Sequence, residues 1–159
     1  MNPAFVSPET ASDGIHETLV TDAGLAHLKG LRTLQQLYLS YSNVTDAGLM
    51  HLKGLIKLQG LGLSYAHITD AGLVHLEGLS ELERVDLDGT QITDAGLAHL
   101  EGLNKLKYLN LRATHISDAG LVHLKGLSTL LYLYLEGTQV TDANVAKLKK
   151  ALPNCTISR

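Results

Sequence analysis

Apolar residues follow two alternating rhythms along this chain. Leu49, Leu52 and Leu55 come at steps of three, and Leu58, Leu61, Leu63 and Ile68 follow. The first rhythm suits one face of a short helix. Around Leu61-Gly62-Leu63 the pattern alternates inward and outward, as in a short strand. Gly54, between the halves, is a natural helix stop. Thr45 is a good N-cap, and Asp46 beside it is favoured by the positive end of the helix dipole. With Thr45 as cap, Val44 and Leu49 have the spacing of a hydrophobic staple. Asp46 is the alternative cap.

This two-part unit recurs. TDAGLAHLKGL at 21–31 returns nearly unchanged from 45, 69, 93 and 117, and a frayed copy, TDANVAKLKKAL, starts at 141. The period is 24 residues, giving five full units over 21–140. Residues 13–20, DGIHETLV, align as a leading half-unit with Ile15 and Val20 inward, and 141–159 form a C-terminal capping half-unit, so 13–159 read as one repeat domain. Residues 1–12 read as an irregular lead-in that lays Phe5 or Val6 over the first strand. A fixed period of this length signals stacked repeats. One unit holds too few large apolar side chains to offset the ordering of its own backbone, so neighbours must bury one another.

The segments LQQLYLSYSNV (34–44), LERVDLDGTQI (82–92) and LKYLNLRATHI (106–116) resemble the leucine-rich repeat, LxxLxLxxNxL. The resemblance recurs in phase across nearly the whole chain. The 24-residue length and the ITDAGL-type helix start are similar to bacterial, planctomycete-like versions. The resemblance implies an α/β fold: a leucine-rich-repeat solenoid with a curved parallel β-sheet on the concave side and short α-helices on the convex side. It also implies binding of other macromolecules, mostly proteins, through the concave sheet. One departure is the usual Asn position, which reads Thr18, Ser42, Ala66, Thr90, Thr114 and Thr138. Hydroxyls can satisfy turn backbone groups; Ala66 cannot, which predicts a weaker turn there.

Since the repeated letters build the scaffold, function is expected where copies differ. Aligning the strands gives four outward columns. The first is Gln36, Gly60, Arg84, Tyr108 and Tyr132; the second is Tyr38, Gly62, Asp86, Asn110 and Tyr134. The third is Ser40, Ser64, Asp88, Arg112 and Glu136; the fourth, at the strand's end, is Tyr41, Tyr65, Gly89, Ala113 and Gly137. All six tyrosines fall in these columns. The first three columns face the concave surface. Two aromatic patches are expected: Tyr38, Tyr41 and Tyr65 toward the N-terminus, and Tyr108, Tyr132 and Tyr134 toward the C-terminus. Arg84, Asp86, Asp88 and Arg112 lie between them, with Asn110 in the second column and Glu136 at the edge. Tyr and Arg are enriched where proteins bind, so these residues are the candidate surface for a protein or peptide. The plain alternative is that Tyr suits an exposed strand position. Gly60 and Gly62 predict a bare patch on their strand, which admits a protruding group or merely weakens the strand.

Composition narrows the classes. The net charge of −3 gives no basic field for nucleic acid, and no apolar run reaches membrane-spanning length. The N-terminal MNPAFVSPETASDG has no signal-peptide pattern, which fits a cytoplasmic protein or equally a piece of a longer one. The single cysteine, Cys155, excludes an intramolecular disulfide. If the last unit is two residues short, Cys155 and Ile157 take the places of the paired strand leucines, with Cys155 buried.

Two further columns invite chemistry. His27, His51, His75, His99 and His123 suggest stacked metal ligands, but each follows an inward Leu by two and is expected at the surface. Asp22, Asp46, Asp70, Asp94, Asp118 and Asp142 suggest calcium, but helix capping and the dipole explain them. Asp86 and Asp88 resemble a carboxylate pair without an acid–base partner. No nucleophile elbow, phosphate loop or zinc pattern is present. The expectation is a non-catalytic interaction module without cofactor or metal, monomeric or weakly self-associating. The alternatives are a self-associating assembly protein, or the recognition domain of a larger receptor or enzyme.

Overall fold

The computed structural model describes residues 18–159; Phe5, Val6 and Ile15 lie outside them. Among the described residues eight short strands follow in order: β1 (Thr18–Thr21), β2 (Gln36–Tyr38), β3 (Ser42–Asn43), β4 (Gly60–Gly62), β5 (Arg84–Asp86), β6 (Tyr108–Asn110), β7 (Tyr132–Tyr134) and β8 (Thr156–Ser158). Strands β2-β4-β5-β6-β7-β8 form one parallel sheet in chain order. The register is one full period per step, so Leu37, Leu61, Val85, Leu109, Leu133 and Ile157 lie side by side. A second parallel ladder starts with β1 against β3. It continues as single bridges, Thr45 to His67, Thr69 to Gln91, Thr93 to His115 and Ser117 to Gln139.

The helical side is shorter and tighter than an amphipathic α-helix. The α-helices α1 (Asp22–Leu25), α2 (Asp46–Leu49), α3 (Asp70–Leu73) and α4 (Asp94–Leu97) run directly into 3₁₀ turns. The fifth unit is 3₁₀ throughout, Gly120–Leu124. Leucines at steps of three carry this signal, because three residues per turn is the 3₁₀ period. Among the described residues only α5 (Asp142–Ala151) is a longer helix, followed by Pro153. Leu49, Leu52, Leu55, Leu58, Leu61, Leu63 and Ile68 are all fully buried, and the equivalent leucines of later units join the same core. Val44 and Leu49, the staple pair, are within it.

The aspartate column does a different job from the one expected. Thr45, Thr69 and Thr93 cap their own helices, each hydroxyl accepting from the amide two residues on. The preceding unit's aspartate then reaches across. Asp46 accepts from the Thr69 amide at 2.9 Å and from its hydroxyl at 2.6 Å. Asp22 to Thr45, Asp70 to Thr93, Asp94 to Ser117 and Asp118 to Thr141 repeat the arrangement. The carboxylates therefore clamp one repeat to the next. The glycine of DAG leaves room for this: a Cβ on Gly72 would stand 2.3 Å from Asp46 Oδ1.

On the sheet side, Ser42, Thr90, Thr114 and Thr138 donate their hydroxyls to the carbonyl three residues earlier, each at 2.6 Å. Ala66 has no hydroxyl to donate and reaches Leu63 O through its amide alone, at 3.0 Å. At the N-terminal end, Val20 lines a hollow with Leu25, Leu28, Leu37 and Leu39, in the expected inward position, yet it remains 36% exposed. No preceding described repeat covers it. At the C-terminal end the register corrects the expected shortening. Ile157 pairs with Leu133, so Arg159 falls where the second strand leucine would be, and Cys155 sits two residues before the pair. Cys155 is nonetheless buried, and burial pushes its thiol up to about 11. The longer α5 supplies Leu148, and Leu152 just past its end joins it, to close the core there.

Candidate functional site

The first two columns are strand neighbours in the paired register, and the next two continue it through backbone bonds. Tyr41 N donates to Ser64 O, Tyr65 N to Asp88 O, Gly89 N to Arg112 O and Ala113 N to Glu136 O. Consecutive repeats therefore hold their variable side chains next to one another on one face.

Side chains on this face lie over the following strand. The predicted bare patch does not exist, because Gln36 and Tyr38 fill it. A Cβ on Gly60 would fall 1.9 Å from Gln36 Oε1, and one on Gly62 would fall 2.8 Å from the Tyr38 ring. Both glycines are buried beneath those groups. Tyr38 also donates its hydroxyl to Gln36 Oε1 at 3.0 Å. Glycine here seats the neighbour's large side chain.

The fourth column has left-handed backbone. Gly89 and Gly137 have φ of 66° and 75°, where glycine is at ease; Tyr41 and Tyr65 both have φ of 57°, and Ala113 50°. Bulky residues rarely occupy that region, and it costs about 1–2 kcal/mol. The two tyrosines are held there as a stack, with ring centres 4.9 Å apart and planes 11° from parallel. Tyr65 lies against the bare backbone of Gly89, where a Cβ would come within 2.5 Å of the ring. Strain of this sort gathers at functional sites. The signal was present in sequence: two tyrosines share a column with two glycines, Gly89 and Gly137.

The C-terminal group mixes aromatic and charged side chains more closely than two patches around a charged centre. Tyr108 and Tyr134 meet diagonally at 5.2 Å. The Arg84 guanidinium lies 3.7 Å from the Tyr108 ring centre and 3.9 Å from Asp86. Arg112 lies 4.2 Å from the Tyr134 ring and makes two bonds to Glu136, at 2.8 and 2.9 Å. That pairing holds Glu136 below the usual carboxylate range and raises Arg112. Burial raises the Tyr108 hydroxyl. Tyr132 stands clear of this network and is half exposed, as is Tyr38.

Two of the expected residues support the surface. Asn110 is buried, and its Oδ1 accepts from the Arg112 amide at 3.1 Å. Asp86 does the same for the Asp88 amide at 3.3 Å and also accepts from Ser64 at 2.8 Å. Asp88 is raised above the ordinary carboxylate value, by burial first and by Asp86 second.

The histidine column lies on the helical side and its members differ by their neighbours. His99 Nδ1 meets Glu77 at 2.6 Å and His123 Nδ1 meets Glu101 at 2.5 Å. His75 faces the repeat that carries Lys53 at the matching position, and its Nδ1 is buried without a partner. Burial, and then Lys53, lower its pKa. Among the described residues no three His, Cys, Asp or Glu side chains gather as a metal site.

Two family models, both described as leucine rich repeat, match residues 80–140 and 30–53. Among solved structures, the chain is similar to internalin C2 of Listeria monocytogenes, at 29% identity and a TM-score of 0.71, covering 84% of this chain and 55% of that one. A leucine-rich repeat protein of Leptospira interrogans shares 19% identity at a TM-score of 0.61, over 81% of this chain and 38% of that one. An internalin, InlF, of Listeria monocytogenes shares 18% at 0.52, over 84% and 49%. The last two are likenesses of fold alone. The chain spans about half the length of internalin C2. No curated protein sequence matches it.

Proposed function

The chain is a leucine-rich repeat protein of bacterial type, and from that premise we propose that its sheet face is a docking surface for a protein or peptide. The observation that carries this is the Tyr41–Tyr65 stack. Two bulky residues are kept in left-handed backbone, beside positions where other repeats use glycine, and both rings stay about half exposed. A scaffold with no ligand to hold would gain by glycine there. The exposed Tyr38 and Tyr132 and the Arg–Tyr pairs extend the same face. Aromatic side chains bring large contact area with few torsions to fix, and the short paired strands hold them in place before any partner arrives.

The reading is of binding without catalysis. Cys155 is buried with its thiol raised, which opposes a nucleophilic role. Asp86 is occupied by Ser64 and the Asp88 amide. The experiment is chemical crosslinking in extract of the source cell, comparing wild type with a variant carrying Tyr41→Gly, Tyr65→Gly, Tyr108→Ala, Tyr132→Ala and Tyr134→Ala. Circular dichroism checks that both are folded. A protein captured by wild type alone supports the sheet face. Equal capture by both moves the site elsewhere, and concentration-dependent mass in light scattering without any captured protein favours self-assembly.

A further inference from the structure

Two arginines on the sheet face are seated alike. Arg84 lies over the Tyr108 ring with the Asp86 carboxylate on its flank, and Arg112 lies over the Tyr134 ring, joined to Glu136. Each places a cation beside an aromatic ring and a carboxylate. Tyr65 and Asp88 supply the ring and the carboxylate a third time. The Tyr65 amide donates to the Asp88 carbonyl at 2.8 Å, and Asp88 is the main charge acting on the Tyr65 hydroxyl, holding its pKa up. Here, however, no cation of the chain is seated. Among the described residues the Asp88 carboxylate accepts no hydrogen bond and joins no ion pair. Arg112 is already committed to Glu136 by both of its bonds. The five charged groups, Arg84 and Arg112 against Asp86, Asp88 and Glu136, leave one negative charge, and the unpaired one is Asp88.

Around Asp88 the neighbouring surface is aromatic and half exposed. Gly89 offers no side chain next to it, and the Tyr65–Tyr41 stack runs away from it across two repeats as an exposed apolar rail. We propose that this corner of the sheet face takes a basic segment of a protein partner, with an arginine guanidinium at the Asp88 carboxylate and its stem along the Tyr65 and Tyr41 rings. The inference deepens the docking reading above and rests on it. Arginine fits better than lysine, because its planar fork meets a carboxylate through two bonds and lies flat on aromatic surface. The two internal arginines show that this face accommodates that geometry.

The test is an NMR titration of the full chain with acetyl-Gly-Arg-Gly amide and with the citrulline counterpart, which keeps the shape and lacks the charge. The wild type is compared with Asp88→Asn, a change at a carboxylate that holds no fold contact. The arginine peptide is expected to shift Tyr41, Tyr65 and Gly89 signals saturably, with a dissociation constant on the order of a millimolar. The citrulline peptide is expected to bind about three- to five-fold more weakly, and Asp88→Asn to erase that difference. Equal affinity of the two peptides for the wild type overturns the inference. So does an arginine preference that survives Asp88→Asn, shifts centred on Tyr132, or no shift at all. If a partner depends on Tyr108 and Tyr132 while the peptides fail, this inference alone falls. If the arginine preference holds but no partner depends on those tyrosines, the docking reading falls and the cation site stands.

Discussion

Asp70→Ala separates two accounts of the aspartate column. Asp70 accepts from the Thr93 amide at 2.8 Å and from the Thr93 hydroxyl at 2.6 Å, 23 residues away. Hydrogen bonds to a charged group contribute about 1.5–3 kcal/mol each, toward the lower end where water has access. Losing both should cost about 2–4 kcal/mol, or roughly 5–15 °C in melting temperature for a chain of this size. A carboxylate serving only its own helix dipole would cost about 0.3–1 kcal/mol. Urea unfolding followed by far-ultraviolet circular dichroism and by tyrosine fluorescence measures the difference, with coincident transitions required before a free energy is taken. A double-mutant cycle with Thr93→Val isolates the hydroxyl half of the inter-repeat pair. The lost cap to the Ala95 amide is common to single and double variants and cancels. The clamp requires a coupling of about 1 kcal/mol or more. A cost below about 1 kcal/mol for Asp70→Ala, together with no coupling, would refute the reasoning.

Three other outcomes follow from the same structure. Gly96→Ala should destabilise, although alanine normally improves a helix by about 1 kcal/mol, because its Cβ would stand 2.4 Å from Asp70 Oδ1; urea melts read the sign. Ala66→Thr restores the hydroxyl bond that Thr90 and Thr114 make, and should stabilise by about 0.5–1.5 kcal/mol in the same assay. For His75, whose folded pKa is depressed, the unfolded chain takes up a proton first, so its contribution to stability is present above the ordinary value of 6.5 and is lost as pH falls. Lys53→Glu gives His75 the partner that His99 has in Glu77, and an NMR titration should show the His75 pKa rising.

Much of this architecture was legible in the chain because a period leaves little choice. Once the copies align, Leu61 must neighbour Val85, and the variable columns must share a face. The direction of the side chains was not legible. Gly60 and Gly62 looked empty because alignment shows what a strand lacks, not what the preceding strand lays over it. The aspartates looked like caps for the same reason: the residue they serve lies 23 positions away. Asn110 looked like a surface residue from its column, yet Arg112 needs its oxygen below the surface. The cysteine register failed because α5 lengthens the last unit's helix and conceals that Ile157 keeps the full period. The left-handed column was readable from its glycines, while the stacking of its two tyrosines required coordinates.

The central claim is that recognition happens on the sheet face. A photo-crosslinking amino acid placed at Tyr132 on the sheet, and separately at Val122 on the helical side, tests it most directly, since both positions are exposed and neither holds the core. The account predicts a crosslinked partner from position 132 and none from 122. Crosslinking from 122 with 132 silent would contradict it.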